Sequence, residues 1–300
     1  MCRFIRHMAF FFLPVLAVAI VLEIVAESIP NSYIYKQEYM EQKGAMVQTL
    51  ILGSSNAYDG LNPSVLSDAF NLANSSQTLE DDYRLLEQYI GSMDSLQTVI
   101  VGLSYSIWAD ASEVHRRTYY TIYMDLYPRW PLNKYSFEVF NLELLTKKII
   151  KYAVSRDVTR CDSLGQRVGH TAAAVKAKKE FWNKEVETLT ENDRMSRTDM
   201  LNESLVLNEN FRFLHSIIEL CEAHHVQPVI VTMPVMTEYK EALPPEQIAF
   251  HDSIMHTLPS SAIYIDASDW DMPDDGWYNA THLTREASVE FTERLMGKIE

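Results

Sequence analysis

Three short apolar runs constrain the fold more than any other feature. Residues 47–52 ("VQTLIL"), 96–104 ("LQTVIVGLS") and 226–233 ("VQPVIVTM") have strand length and are almost unbroken in apolar residues. A strand with one wet face alternates instead, so these runs demand cover on both faces, as in a parallel sheet clad by helices. Shorter strand candidates stand at 68–73 ("DAFNLA") and 261–268 ("SAIYIDAS"). "SSQTLEDDYRLLEQYI" reads as a helix capped by Thr78, with Glu80, Asp81 and Asp82 at its positive end and Leu79, Tyr83, Leu86 and Ile90 on one face. A second helix carries Phe211, Leu214, Ile218 and Cys221, and a closing helix repeats Ala287, Phe291 and Leu295 every four residues. The expected fold class is α/β, a three-layer sandwich with a mainly parallel sheet, from about residue 45 to the end.

Two segments break this alternation. The first thirty residues place Arg3 and Arg6 before an uncharged apolar run from Met8 to Leu22, followed by Glu23 and then Ile24, Val25 and Ala26. That pattern marks a signal anchor with its N-terminus in the cytoplasm; a cleaved signal peptide and a buried helix are the alternatives. The main domain is then expected outside the cytoplasmic membrane, on a single-pass anchor. From about 105 to 205 the strands stop. Aromatic-rich "YYTIYMDLYPRWPLNKYSF" leads to two helical candidates, "EVFNLELLTKKIIKYAV" and "AAAVKAKKEFWNKEVETL", joined through a loop, "CDSLGQRVGH". This is too long for a crossover loop and is read as a helical insert.

Net charge is -15 with no dense basic cluster, which argues against a nucleic-acid partner and mildly favours neutral sugar esters over anionic polymers. Cys2, Cys161 and Cys221 form no CxxC pattern, so no zinc site is expected, and a Cys161 to Cys221 bridge stays open. Adjacent His224 and His225 point apart on a helix, and no metal or other cofactor is expected.

The chemistry gathers at two places. "LILGSSNAYDGLNP" raises Ser55 just past the first strand, where turn amides can receive oxyanion charge. Flanked by glycine on one side only, it departs from the GxSxG elbow. His282 follows the acidic loop "DASDWDMPDDGWYNATHL" and precedes the closing helix, a suitable place for a base. His170 and the remaining histidines are read as surface or local-contact residues.

The order "LGSSNAYDG", "FNLANSSQ", "VIVGLSYSIW", "VIVTMPV", "NATHLTREASVEFTERL" resembles the SGNH hydrolase superfamily, also called the GDSL class. It is most similar to the bacterial membrane-anchored branch that includes proteins of D-alanyl lipoteichoic acid and exopolysaccharide acylation systems. The resemblance covers about residues 45–104 and 206–299. It implies Ser55 as nucleophile, His282 as general base, and Ser76 as backbone oxyanion donor, with Asn74 or Ser75 in that place if the turn is shifted. Asn279 stands where the family has the aspartate that orients the base. Asp274, Asp275 or Asp271 would have to replace that acid, or Ser55 and His282 would act as a dyad. The third block lacks the usual asparagine donor, leaving Ser104, Tyr105 or Asn74. The implied function is a serine-dependent acyl-ester hydrolase or O-acyltransferase acting on an acylated saccharide or envelope glycan. The alternative is a catalytically weakened partner that binds envelope polysaccharide beside a membrane-bound O-acyltransferase.

Overall fold

The computed structural model of the 300-residue chain describes residues 2–108, 114–156, 159–173 and 204–299. Most of the second expected insert helix, residues 174–189, lies outside the described residues. The chain divides into two compact units, Met1–Glu38 with Glu113–Thr159, and Tyr39–Ser112 with Arg160–Glu300.

In chain order, helix α1 (Cys2–Glu27) contains an apolar stretch, Phe10–Glu27, of membrane-crossing length and composition. Its 18 residues rise about 27 Å, close to the thickness of a hydrocarbon core. Helix α2 (Ser32–Lys43) leads to strand β1 (Thr49–Gly53). Then come α3 (Ser55–Gly60), β2 (Ala69–Asn71), α4 (Leu79–Tyr89) and β3 (Thr98–Leu103). The inserted segment contributes α5 (Val114–Tyr123) and α6 (Leu142–Ser155). The sheet resumes with α7 (Ser204–Ala223), β4 (Gln227–Thr232), α8 (Thr237–Ala242), α9 (Pro245–Met255) and β5 (Ile263–Asp266). A two-stranded ribbon, β6 (Trp277–Asn279) with β7 (His282–Leu283), precedes α10 (Arg285–Ile299).

The five main strands are parallel in the order β2-β1-β3-β4-β5, with helices on both faces. The α/β fold class therefore stands as expected. β1 is buried at every residue, and β3 and β4 are buried from their second residue on, which accounts for their lack of alternation. The chain leaves β1 toward β2 on one side and later adds β3 on the other. That reversal opens a crevice at the carboxyl ends of β1 and β3, the place where doubly wound sheets carry their sites.

Glycine shapes this crevice. Gly53 pairs with Gly102 across β1 and β3 and has φ +125°; a Cβ on it would lie 2.4 Å from the Gly102 carbonyl oxygen. A Cβ on Gly102 would lie 2.7 Å from Ala57 Cβ, so bare backbone here lets α3 settle onto the strand ends. The loop at residues 160–170, expected within the insert, packs instead on the sheet unit. Leu164 O accepts from Asn71 N–H at 2.9 Å, which covers the β2 edge, and Cys161 bridges Arg167 antiparallel. Cys161 and Cys221 are both buried and not joined by a disulfide, so the bridge left open by the sequence is not made.

Thr78 caps α4 through a reciprocal capping box with Asp81. Asp82 does more than face the helix dipole. It is fully buried, and its Oδ1 accepts from Gly53 N–H at 2.9 Å and Gln77 Nε2 at 2.5 Å, while Oδ2 has no hydrogen-bond partner among the described residues. Burial pushes its carboxyl up to about 7, with the two donors opposing. A carboxyl raised on folding stabilises most below its unfolded pKa, and that stability is lost as pH rises through about 7. Asp82→Asn keeps an acceptor and removes the titration. Its Tm relative to the parent is expected to shift in the variant's favour by about 5 °C between pH 5 and pH 8. Thermal melts across that range check this, and parallel pH curves would contradict it.

Candidate active site

Ser55 opens α3 directly after β1, with Ser54 in extended conformation as N-cap, so the hydroxyl stands over the crevice while the first-turn amides point the same way. His282 opens β7. The two residues are 227 positions apart in sequence, and His282 Nε2 lies 2.8 Å from Ser55 Oγ.

The ribbon fixes the imidazole. Asn279 Oδ1 accepts from Thr281 N–H at 3.0 Å and from His282 N–H at 2.9 Å, and it stands 2.8 Å from His282 Nδ1. Two backbone donors on one oxygen settle which way the amide faces, so Nδ1 must carry the proton that meets it. Nε2 then presents its lone pair to Ser55 Oγ–H, the tautomer a general base needs. Thr281 Oγ1, 3.0 Å from Nδ1, supports the same arrangement. Asn56 Nδ2 donates to Thr281 O at 2.5 Å and staples the ribbon to α3.

Asp274 and Asp275 do not take the orienting role. They lie in an exposed 3-10 turn, Asp274–Gly276, and Asp271 is exposed as well; none hydrogen-bonds His282. The carboxylate that approaches the imidazole is Asp59, four residues after Ser55 and therefore on the same face of α3. Its Oδ2 lies 3.9 Å from His282 Nε2, and its side chain is 1 % exposed. Arg167 Nη1 and His170 Nδ1 each approach it at 3.2 Å. His170 stacks on Tyr278 at 3.6 Å between ring centres, and Arg167 lies over the Tyr58 ring at 4.7 Å. His170 is therefore part of the site's wall. Burial lowers the His282 imidazole from 6.5 to about 4; Asp59 opposes this, while Arg167 and His170 add to it. The imidazole is neutral across the physiological range.

The expected oxyanion segment also borders Ser55. Asn74 N–H donates to Gly53 O at 3.3 Å, and Ser76 takes a left-handed φ of +53°, which turns the loop sharply beside the strand end. Ser75 N–H is satisfied by Asn74 Oδ1 at 3.1 Å, and Ser75 Oγ binds Arg167. Ser104, at the end of β3, pairs with Ser106 Oγ at 3.1 Å and makes no hydrogen bond to Ser55 or His282 among the described residues. A cavity of about 550 Å³ borders the ribbon, lined by Trp270, Trp277, Met236 and Met272, with Glu238, Asp269, Asp271 and Asp274 at its polar parts. Among the described residues no group of three His, Cys, Asp or Glu side chains is placed to hold a metal ion.

No family model matches the sequence, and no curated protein matches it either. Among solved structures, the chain is similar to a presumed acylhydrolase of Bacteroides fragilis NCTC 9343, at 9% identity and a TM-score of 0.40, over 88% of this chain and 94% of that one. A likeness at that level carries no argument about activity, which rests on the geometry of Ser55 and His282.

Proposed function

We propose that the protein is a serine-dependent acyl-ester hydrolase or O-acyltransferase. The observation that carries this reading is the 2.8 Å contact of Ser55 Oγ with the proton-accepting nitrogen of His282. Ser55 Oγ attacks the acyl carbonyl carbon as its proton passes to Nε2. Charge develops on the carbonyl oxygen and is received by amides at the start of α3 and in the Ser76 loop. Collapse of the intermediate releases the alcohol, which takes the proton from Nε2. Water or an acceptor alcohol then removes the acyl group from Ser55 by the same route in reverse.

Asn279 orients the base without adding charge, so Asp59 supplies the negative potential that the transient imidazolium meets. The aromatic and carboxylate-bearing cavity beside the ribbon supports a neutral acylated saccharide over an anionic polymer, since carboxylates accept hydroxyl hydrogen bonds and repel anions. Helix α1 supports an extracytoplasmic placement on a single-pass anchor, which protease protection in intact and opened cells tests. The neutral amide at Asn279 favours one second reading, a weakened enzyme that holds envelope glycan for a membrane-bound O-acyltransferase.

The experiment is hydrolysis of an activated acetyl ester against pH, with Ser55→Ala as the blank. A base depressed to about 4 keeps its lone pair at pH 5.5, where an ordinary imidazole retains roughly one tenth of it. The rate at pH 5.5 is therefore expected to stay near its neutral value, with the acidic limb falling toward pH 4. A rate equal to the blank contradicts the proposal, whereas a limb centred at 6.5 keeps a histidine base and contradicts only the lowering of its pKa by burial. Acetylated saccharides offered with and without acceptor alcohols then separate free acid from a newly acylated acceptor.

A further inference from the structure

The unit built on α1 carries surface features that the catalytic proposal leaves unused. In a chain of net charge -15, residues 114–159 hold eight Lys and Arg against four Asp and Glu, a local balance of +4. The same segment exposes large apolar side chains: Trp130 at 75%, Leu132 at 56%, Phe140 at 54%, Leu142 at 62%, Ile150 at 58% and Val154 at 82%. Leu142, Ile150 and Val154, with Thr146 between them, recur at four-residue spacing and form one stripe along α6, flanked by Lys147 and Lys151.

Specific contacts place this surface at the end of the apolar helix. Glu23 of α1 accepts from the backbone N–H groups of Glu138 and Val139, each at 2.9 Å. Lys148 Nζ donates to Ala26 O at 2.9 Å and pairs with the buried Glu138 at 2.6 Å. Arg129 pairs with Glu27 at 3.1 Å. Phe140 and Leu142 thus stand level with the last turns of α1, whose Ile24 and Val25 are exposed too, and Trp130 stands level with its final residue. Exposed apolar side chains of the insert and of the last turns of α1 thus occur together, at the depth where a bilayer passes from acyl chains to headgroups.

We infer that residues 129–155 form an interfacial surface that lies in the headgroup and acyl-chain boundary of an anionic phospholipid bilayer, at the foot of α1. The inference rests on the reading of α1 as a membrane span. Trp130, Phe140 and the α6 stripe enter the boundary, and the exposed Lys134, Lys147 and Lys151 meet the phosphates. A protein partner would leave both the placement at the end of α1 and the reversal of charge unexplained.

The test uses the full chain reconstituted in phosphatidylglycerol-rich vesicles whose acyl chains carry bromine, a contact quencher of indole. Helix α1 has no tryptophan, so quenching reports the insert and not the anchor. With five tryptophans in the chain, emission is expected to fall by about one fifth relative to unbrominated vesicles, and Trp130→Phe is expected to lose that response. Ile150→Ser with Val154→Ser, both at exposed positions, is expected to halve it while leaving the fold intact. An alkaline carbonate wash separates the two claims. Protein retained on the vesicles with Trp130 unquenched overturns the interfacial surface alone, and protein released by the wash overturns the membrane span and this inference with it.

Discussion

His282→Ala is expected to lower the acylation of Ser55 by an activated ester at least 10³-fold, the upper part of what a positioned general base contributes. The size follows from geometry. Nε2 is the acceptor placed 2.8 Å from Oγ, and its lone pair is aimed there by the Asn279 contact at Nδ1. His170 cannot substitute, because it is committed to Asp59 and to stacking on Tyr278. Stopped-flow release of the leaving group at neutral pH checks this; a loss under tenfold with the fold intact would remove His282 from the mechanism. Because His282 is only partly buried and packs mainly against its own ribbon and α3, far-ultraviolet circular dichroism is expected to be unchanged.

Asp59→Asn is expected to cost on the order of 10² in the same rate, about 3 kcal/mol of barrier. With an amide at Nδ1, the Asp59 carboxylate at 3.9 Å is, among the described residues, the negative charge that approaches the imidazolium formed during proton transfer. Its removal also leaves the Arg167 charge uncompensated on the same side, which disfavours a second cation. The acidic limb is expected to move further down, since Asp59 raises the His282 pKa. Stability will fall too, because Arg167 loses a buried partner. The double variant Asp59→Asn with Arg167→Met separates the effects: Tm recovers and the rate recovers only in part, the share due to the missing carboxylate remaining. Full recovery of the rate with the Tm would make Asp59 a structural residue only.

The sheet was legible because strands covered on both faces leave an unmistakable apolar run, as in "TVIVGL" and "PVIVT". Ser55 and His282 were legible from their places at strand ends and from the order of the blocks. The rest of the site was hidden for physical reasons. Asp59 sits before Gly60 and reads as a turn residue, yet its spacing from Ser55 is one helical turn. Arg167 and His170 reach the site only because residues 160–170 leave the insert and close over the β2 edge, a tertiary event with no local signature. Asp274 and Asp275 looked eligible by proximity in sequence to His282. The β6–β7 ribbon instead fixes the imidazole through Asn279, and the 3-10 turn carries both carboxylates into solvent. Asp82 looked like a helix-dipole residue, and its burial beneath Gly53 follows only from α4 packing against the end of β1.

The most direct measurement is the site of covalent modification by a fluorophosphonate, which reacts with an activated serine without needing the natural substrate. The full-length protein is treated at neutral pH, digested, and its peptides are analysed by mass spectrometry. A single adduct on Ser55, absent from Ser55→Ala and strongly reduced in His282→Ala, is the predicted result. An unmodified Ser55 in folded protein, or an adduct on Ser54 or another serine that survives Ser55→Ala, would rule out Ser55 as the activated nucleophile.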